Sequence, residues 1–181
     1  ACLLLGSKEI QKGELRRVRP AAELLERAAR GWMQAGDWVR ALEAARAAGV
    51  SRVLYASSSS VYGADPRLPK REDQPVAACS PYAATKVALE QLAQAWTRGL
   101  GLPTIGLRYF NVYGPREAHK GRMASVAFHH FNQFRSDGRV RLFEGSHGFA
   151  DGEQRRDFVH VDDVVRVNLS FLDRPKTGVY N

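Results

Sequence analysis

Hydrophobic and polar positions follow two different periods along this chain of 181 residues, and each period predicts an element. Leu24, Ala28 and Trp32, then Trp38, Leu42 and Ala45, recur at helical spacing, which predicts two amphipathic helices divided near Gly36. Core packing accounts for both faces, and Gly49 closes the second helix. Val53 to Ala56 is a short apolar run that reads as a buried parallel strand, with serines where it should end. After a polar excursion through Pro66 to Pro75, the helical period resumes from Tyr82 to about Arg98. Leu89, Leu92 and Trp96 mark its buried side, and Gly99, Gly101 and Pro103 end it. Thr104 to Phe110 follows as another strand, so two strands are joined by a helical crossover, the basic unit of a doubly wound sheet. Further on, Asp162-Asp163-Val164-Val165 opens a helix expected to bury Val165, Leu169 and Leu172, and Gly178 to Asn181 reads as a strand. The fold class is therefore α/β, a partial doubly wound parallel sheet.

Composition narrows the function classes. At 44% hydrophobic and 25% charged, the chain has an ordinary globular make-up with enough apolar residues for one core. No apolar run approaches the roughly 20 residues that span a bilayer, and no charged-then-apolar leader is present, so the expected location is the cytoplasm and no membrane is expected as a partner. Cys2 and Cys79 are too few for a disulfide framework, and no Cys or His cluster has metal-ligand spacing, so no metal is expected. The net charge of +8 points to an anionic partner. Because the basic residues are scattered and no nucleic-acid-binding motif accompanies them, that partner is a phosphorylated small molecule and not a nucleic acid. The basic stretch from Lys12 to Arg19 reads as a solvated face.

Chemistry enters with Ser80-Pro81-Tyr82-Ala83-Ala84-Thr85-Lys86. With Ser80 as N-cap and Pro81 at the first helical position, Tyr82 and Lys86 stand one turn apart on one face. A phenol is a poor base at neutral pH, and an ammonium held nearby favours its phenolate. Four-residue spacing is common on any helix, so the pair alone says little. Upstream, however, lies Arg52-Val53-Leu54-Tyr55-Ala56-Ser57-Ser58-Ser59-Ser60-Val61-Tyr62-Gly63, a serine run ending a buried strand. Ligands of open α/β sheets sit outside the carboxyl ends of the strands, so a hydroxyl there faces the crevice. Together these stretches resemble the extended short-chain dehydrogenases/reductases, the group of nucleotide-sugar epimerases and dehydratases with a Rossmann-like fold. In that group the matching serine lies five residues before the glycine of the V-Y-G turn, which is Ser58 here.

Arg108-Tyr109-Phe110-Asn111-Val112-Tyr113-Gly114-Pro115-Arg116 resembles nucleotide-sugar epimerases broadly. Its continuation, Glu117-Ala118-His119-Lys120-Gly121-Arg122-Met123-Ala124-Ser125-Val126-Ala127-Phe128-His129, resembles one family, the ADP-glycero-manno-heptose 6-epimerases. Arg141-Leu142-Phe143-Glu144-Gly145-Ser146 and Gln154-Arg155-Arg156-Asp157-Phe158-Val159-His160-Val161 fit the same family, and the resemblance runs from about Val53 to Asn181. It implies inversion of C6 of a heptose carried on ADP, by transient oxidation to a ketone and re-reduction, with NADP, or alternatively NAD, as the cofactor. It further implies a role in supplying heptose for lipopolysaccharide and a homo-oligomeric full-length enzyme.

Carried over on the same motifs, Tyr82 and Lys120 are the two acid/base groups. Ser58 hydrogen-bonds the reacting oxygen, and Lys86 grips the nicotinamide ribose while tuning Tyr82. Tyr82, Lys86, Val112 and Lys120 are then the cofactor contacts. Asn111, His129, Phe143, Glu144, Gly145, Ser146 and Arg156 hold the substrate, Arg156 suiting pyrophosphate because a guanidinium binds phosphate oxygens in bidentate fashion. His130 is expected to help pack a helix bearing Met123, Ala127 and Phe134, and no role is carried over to Arg122, where some family members have a small hydroxyl residue.

Two departures matter. No G-x-x-G-x-x-G or G-x-G-x-x-G turn is present, and the chain does not begin with Met. The expectation is a piece of a longer enzyme, cut at both ends. Residues 1–50 form a helical segment in place of the first β-α-β units, 51–115 the rest of the dinucleotide-binding domain, and 116–181 a mixed substrate-binding and sheet-completing region. Two other readings stay open. A UDP-sugar 4-epimerase would share Ser58, Tyr82 and Lys86 but need no Lys120, and a catalytically silent fragment would keep the substrate side without retaining the cofactor. A 4,6-dehydratase fits less well, because it needs an Asp-Glu pair where this chain has Ser59 and Ser60.

Overall fold

The computed structural model describes residues 3–6, 37–146, 148–172, 174 and 176–181. The helix expected on Leu24, Ala28 and Trp32, and the basic stretch from Lys12 to Arg19, lie outside the described residues. The chain divides into two compact units, Ala1–Tyr109 with Asn168–Asn181, and Phe110–Val167.

The first unit is built on a sheet of four strands in the order β1 (Leu3–Gly6), β2 (Arg52–Ser58), β3 (Thr104–Tyr109) and β6 (Gly178–Tyr180). β2 pairs parallel with β3, Val53 opposite Thr104 and Ser58 opposite Tyr109, and β3 pairs parallel with β6. β1 runs antiparallel to β2, so the helical expectation for residues 1–50 fails over Leu3–Gly6, where backbone pairing to an exposed strand edge decides the conformation. It holds for α1 (Trp38–Ala47), which Asp37 caps by accepting from the Arg40 N–H at 3.2 Å and which buries Ala41, Leu42, Ala44 and Ala45.

Alternation along the strands explains the layers. Val53 packs with α1, Trp96 and Leu102, and Tyr55 with Leu89 and Ala93. These are contacts to α1 and to α2 (Pro81–Leu100). Leu54, Ile105 and Leu107 point the other way and pack with Phe171 and Leu172, near the end of the helix that runs Val161–Leu172. Helices thus cover both faces of a mostly parallel sheet, the doubly wound arrangement.

The face of β3 turned towards α2 is not apolar: it carries Thr104, Gly106 and Arg108. Thr104 donates to the Ala93 carbonyl at 3.1 Å, and a side chain at Gly106 would stand 2.5 Å from the Tyr55 hydroxyl, so glycine makes room for that ring. Arg108 pairs with Glu90 in bidentate fashion, Nε to Oε1 at 2.9 Å and Nη2 to Oε2 at 2.8 Å, with both side chains at most 5% exposed. Its remaining nitrogen, Nη1, donates to the Tyr62 hydroxyl at 2.8 Å, and the Ser57 hydroxyl donates to Glu90 Oε1. Burial opposes the Arg108 charge, but the hydrogen bonds to Glu90 and Tyr62 outweigh it and raise its pKa above the ordinary value. Burial, with the Glu90 charge adding to it, likewise raises the Tyr55 phenol above its usual range.

The second unit holds a two-stranded parallel ladder, β4 (Asn111–Tyr113) with β5 (Phe158–His160), and the helix α3 (Val126–Asp137). Met123 does not belong to that helix. It lies in a 3-10 turn over Ala118–Met123 and is 86% exposed, while Phe134 is also exposed. The helix α4 (Val161–Leu172) corrects a second expectation: Leu172 is partly buried, but Val165 and Leu169 are exposed at 50% and 53%. Its buried stripe is set by Asn168, which donates to the Tyr109 hydroxyl at 2.6 Å, and by Phe171, whose ring lies 4.8 Å from that of Tyr180. Among the described residues no helix is long and apolar enough to cross a membrane.

Removing one member of the Glu90–Arg108 pair leaves a buried charge without its partner, which costs about 3–5 kcal/mol. Glu90→Gln and Arg108→Met should each lower the urea unfolding free energy by that order. The double variant Glu90→Leu/Arg108→Met should lose less than the sum of the two, as a double-mutant cycle would record.

Candidate active site

In the first unit, local signals place the candidate residues. Ser80, in extended conformation, caps α2 by accepting from the Ala83 N–H at 3.1 Å, and Pro81 follows at the first helical position. The next residue, Tyr82, is 56% exposed. Lys86 is half-buried beneath it, with Nζ 5.6 Å from the Tyr82 ring centroid and 6.0 Å from that of Trp38. The ammonium donates to the Ala56 carbonyl at 2.8 Å, and desolvation lowers its pKa from the ordinary value. Two residues beyond Ala56, Ser58 ends β2. Its hydroxyl accepts from the Ser60 N–H at 3.2 Å and from the Ser60 hydroxyl at 2.9 Å, capping the 3-10 turn Ser59–Tyr62. A phenol, a fixed cation and a serine at the carboxyl end of a parallel strand therefore belong to one unit, and the cation is tied to the strand that ends in the serine.

These groups fit the nicotinamide-ribose end of a dinucleotide. The ammonium offers donors for ribose hydroxyls, and the strand end is where such ligands enter an open sheet. A glycine-rich turn for the pyrophosphate is absent from the sequence.

The second unit contains a cavity of about 450 Å³, within the roughly 300–1,000 Å³ range of small-molecule sites. It brings together Asn111, Val112, Lys120, Phe143 and Arg156 from the residues singled out by sequence. Asn111 is held by its amide, which donates to the Asp157 carbonyl at 3.1 Å, and Lys120 stands on the 3-10 turn after β4. His129, Glu144, Gly145 and Ser146 are not on its wall. His129 packs edge-on against Phe128, the Glu144 carbonyl accepts from Gln154 at 2.7 Å, the Gly145 N–H donates to Asp151 at 2.6 Å, and Ser146 bridges to Phe149. His130, expected as a packing residue, does line the cavity, its ring 6.3 Å from that of Phe143.

Sequence reasoning missed two residues. Glu90 supports the helix that carries Tyr82 and Lys86. Glu117 lines the cavity beside Lys120, 3.4 Å from its ammonium, and also accepts from the Gly114 N–H and from Ser125. Gly114 has φ 146, and a side chain there would lie 2.6 Å from Val161 Cγ1, so the loop turns where only glycine fits. Burial opposes ionisation of Glu117, but hydrogen bonds from Ser125 and Gly114 and the Lys120 charge overcome it and hold the carboxyl at about 2. The cavity therefore carries two cations, Lys120 and Arg156, over one satisfied carboxylate, which suits an anionic ligand.

Comparison with known proteins gives the family. A family model described as the NAD dependent epimerase/dehydratase family matches residues 28–181. The chain is 52% identical over 132 residues to an ADP-L-glycero-D-manno-heptose-6-epimerase of Thiobacillus denitrificans, covering 72% of this chain and 40% of that protein. Among solved structures it is similar to the Helicobacter pylori ADP-L-glycero-D-manno-heptose-6-epimerase, with TM-score 0.70 and 28% identity over 97% of this chain and 50% of the other. It is also similar to a UDP-N-acetylglucosamine 4-epimerase from Methanobrevibacter ruminantium in complex with UDP-N-acetylmuramic acid. There the TM-score is 0.71 and the identity 30%, over 92% of this chain and 51% of the other. The chain thus spans between two fifths and about half the length of these relatives.

Glu117 has a pH signature. Its folded value of about 2 lies below the ordinary 4.5, so the stability it contributes is fully present above pH 4.5 and is lost as pH falls towards 2. In thermal unfolding followed from pH 7 downwards, the gap between the parent chain and Glu117→Gln should narrow across that window. A constant gap would contradict the assignment.

Proposed function

Because the chain belongs to the NAD dependent epimerase/dehydratase family, we propose that it is part of a nucleotide-sugar epimerase that inverts C6 of the heptose in ADP-glycero-manno-heptose. The observation that carries the reading is Lys120 on the wall of a cavity shared with Asn111, Phe143 and Arg156, in a chain 52% identical to a heptose epimerase. A 4-epimerase has no use for that lysine.

The physical demand is for two proton carriers. Oxidation removes a proton from the sugar hydroxyl as hydride leaves carbon, and reduction returns one after the ketone has turned over and moved its oxygen. A bound nicotinamide, NADP in this reading, supplies the hydride acceptor and donor. Tyr82 takes the first proton, with the Lys86 charge beside its ring stabilising the phenolate, and Ser58 orients the reacting oxygen. Lys86 also offers its free N–H donors to the ribose. Lys120 is the second carrier, exchanging a proton with the oxygen in its other position. Arg156 holds the ADP pyrophosphate through paired N–H donors, and Asn111 and Phe143 line the sugar subsite.

The test is to incubate the purified chain with ADP-D-glycero-D-manno-heptose and NADP or NAD, following cofactor retention and the configuration at C6. Retention with inversion supports the reading. Conversion of UDP-glucose instead would overturn the heptose assignment, and neither binding nor turnover would mean that this length of chain does not act alone. Lys120→Met should lower epimerisation by about 10²–10⁴-fold while the chain keeps its fold, as circular dichroism would record. Tyr82→Phe should cost as much.

A further inference from the structure

Glu117 and Glu90 are the two buried carboxylates among the described residues. Apart from Lys120, everything that Glu117 accepts from lies at the two ends of one loop. Oε1 takes the Gly114 N–H at 3.0 Å and the Ser125 hydroxyl at 2.8 Å, and Oε2 takes the Ser125 N–H at 2.7 Å. Gly114 follows β4 directly and Ser125 is the N-cap of α3, so one side chain closes the segment between them. That segment is not relaxed. Arg116 has φ 69, a left-handed conformation unfavourable for a residue with a Cβ, and such backbone persists only where its surroundings over-determine it. The His119 ring, whose Nδ1 lies 2.7 Å from the Arg116 carbonyl, adds a second local tie.

Lys120 stands inside this closed segment. Its 3.4 Å separation from Glu117 Oε2 is longer than an ordinary hydrogen bond, and it commits at most one of the three N–H donors of the ammonium. We propose that Glu117 is a positioning residue: its carboxylate fixes the Gly114–Ser125 loop and thereby sets where the Lys120 amine stands on the cavity wall. The part of Lys120 in turnover rests on the function proposed above, whereas the clamping of the loop does not.

The experiment uses the full chain and the variants Glu117→Gln, Glu117→Asp, Ser125→Ala and Lys120→Met. Amide exchange is read at Gly114 and Ser125 against Leu54 and Ile105 in the sheet. Labelling of Lys120 by a small acylating reagent is read by peptide mass spectrometry against Lys70. In Glu117→Gln the loop amides should exchange about ten-fold faster with the sheet amides unchanged, and Lys120 labelling should rise several-fold relative to Lys70. Where the chain turns over, kcat should fall about ten- to a hundred-fold with little change in KM, and Glu117→Asp, which keeps the charge, should recover part of the loss. Unchanged loop exchange and labelling in Glu117→Gln would overturn the proposal. Should that variant lose the sheet amides as well, Ser125→Ala decides: faster exchange at Gly114 with altered Lys120 labelling supports the clamp, and no change refutes it. A loosened loop combined with full turnover in Lys120→Met would refute the catalytic part of Lys120 alone.

Discussion

A carboxylate and a guanidinium taken out of water together are the constraint on which the first unit depends. Each charge costs several kcal/mol to bury, and their attraction offsets this only if the remaining donors and acceptors are met. Here they are: Arg108 spends three nitrogens on Glu90 and Tyr62, and Glu90 accepts from Ser57 as well. One member of the network comes from β2, one from β3, one from the 3-10 turn and one from α2, so the pair fixes the rotation and register of the helix against the strands. Tyr82, Lys86 and Glu90 follow one another at four-residue intervals along that helix. Once Glu90 is pinned inside, Lys86 must sit half-buried one turn back, within reach of the Ala56 carbonyl, and Tyr82 must emerge at the helix start. The candidate chemistry is the exposed end of a stripe whose other end is structural.

The second unit uses the same device on a smaller scale. Glu117 is buried without a guanidinium, and its charge is met chiefly by backbone and hydroxyl donors. Such donors cannot move without moving the chain that carries them, so a carboxylate satisfied in this way organises a loop, whereas Glu90 aligns whole elements. The difference follows from reach: Arg108 spans from a strand to a helix, while the donors to Glu117 all lie within eight residues of it in sequence.

What could be read from the sequence was what is local. The Ser80 cap, Pro81 after it and the left-handed Gly101 at the far end fixed α2 to within two residues, because each signal acts on its own neighbours. Motif context singled out Ser58, which ends β2, and Lys120, Asn111 and Arg156, which the fold puts on one cavity wall. Glu90 could not be read, because a carboxylate beside Leu89 looks like the edge of a polar face until Arg108, 18 residues away in sequence, is seen to meet it. Val165 and Leu169 misled for a related reason. The helix carries apolar residues on more than one stripe, and the buried one was chosen by a polar residue, Asn168, through its bond to Tyr109. Glu144, Gly145 and Ser146 sit in a segment that folds back on itself through Phe143, Ser146 and Gly152, a pairing with no periodic signature, and His129 lies within α3 with its ring against Phe128.

The two lysines show how environment separates like residues. Lys86 is half-buried, donates at 2.8 Å to a carbonyl that cannot move independently of β2, and has no carboxylate within ion-pair distance among the described residues. Its charge is therefore costly, which is why burial lowers its pKa, and its one aromatic neighbour on the same helix is the Tyr82 ring, 5.6 Å from the ammonium. Lys120 is more open, 39% exposed, and loosely held at 3.4 Å by a carboxylate whose other bonds are complete. A cation fixed at short range suits a group that must stay charged and still while a neighbour works. A cation on a longer tether suits one that must itself reach a ligand. Exchanging the two environments would leave both lysines in place and neither fitted to its proposed part.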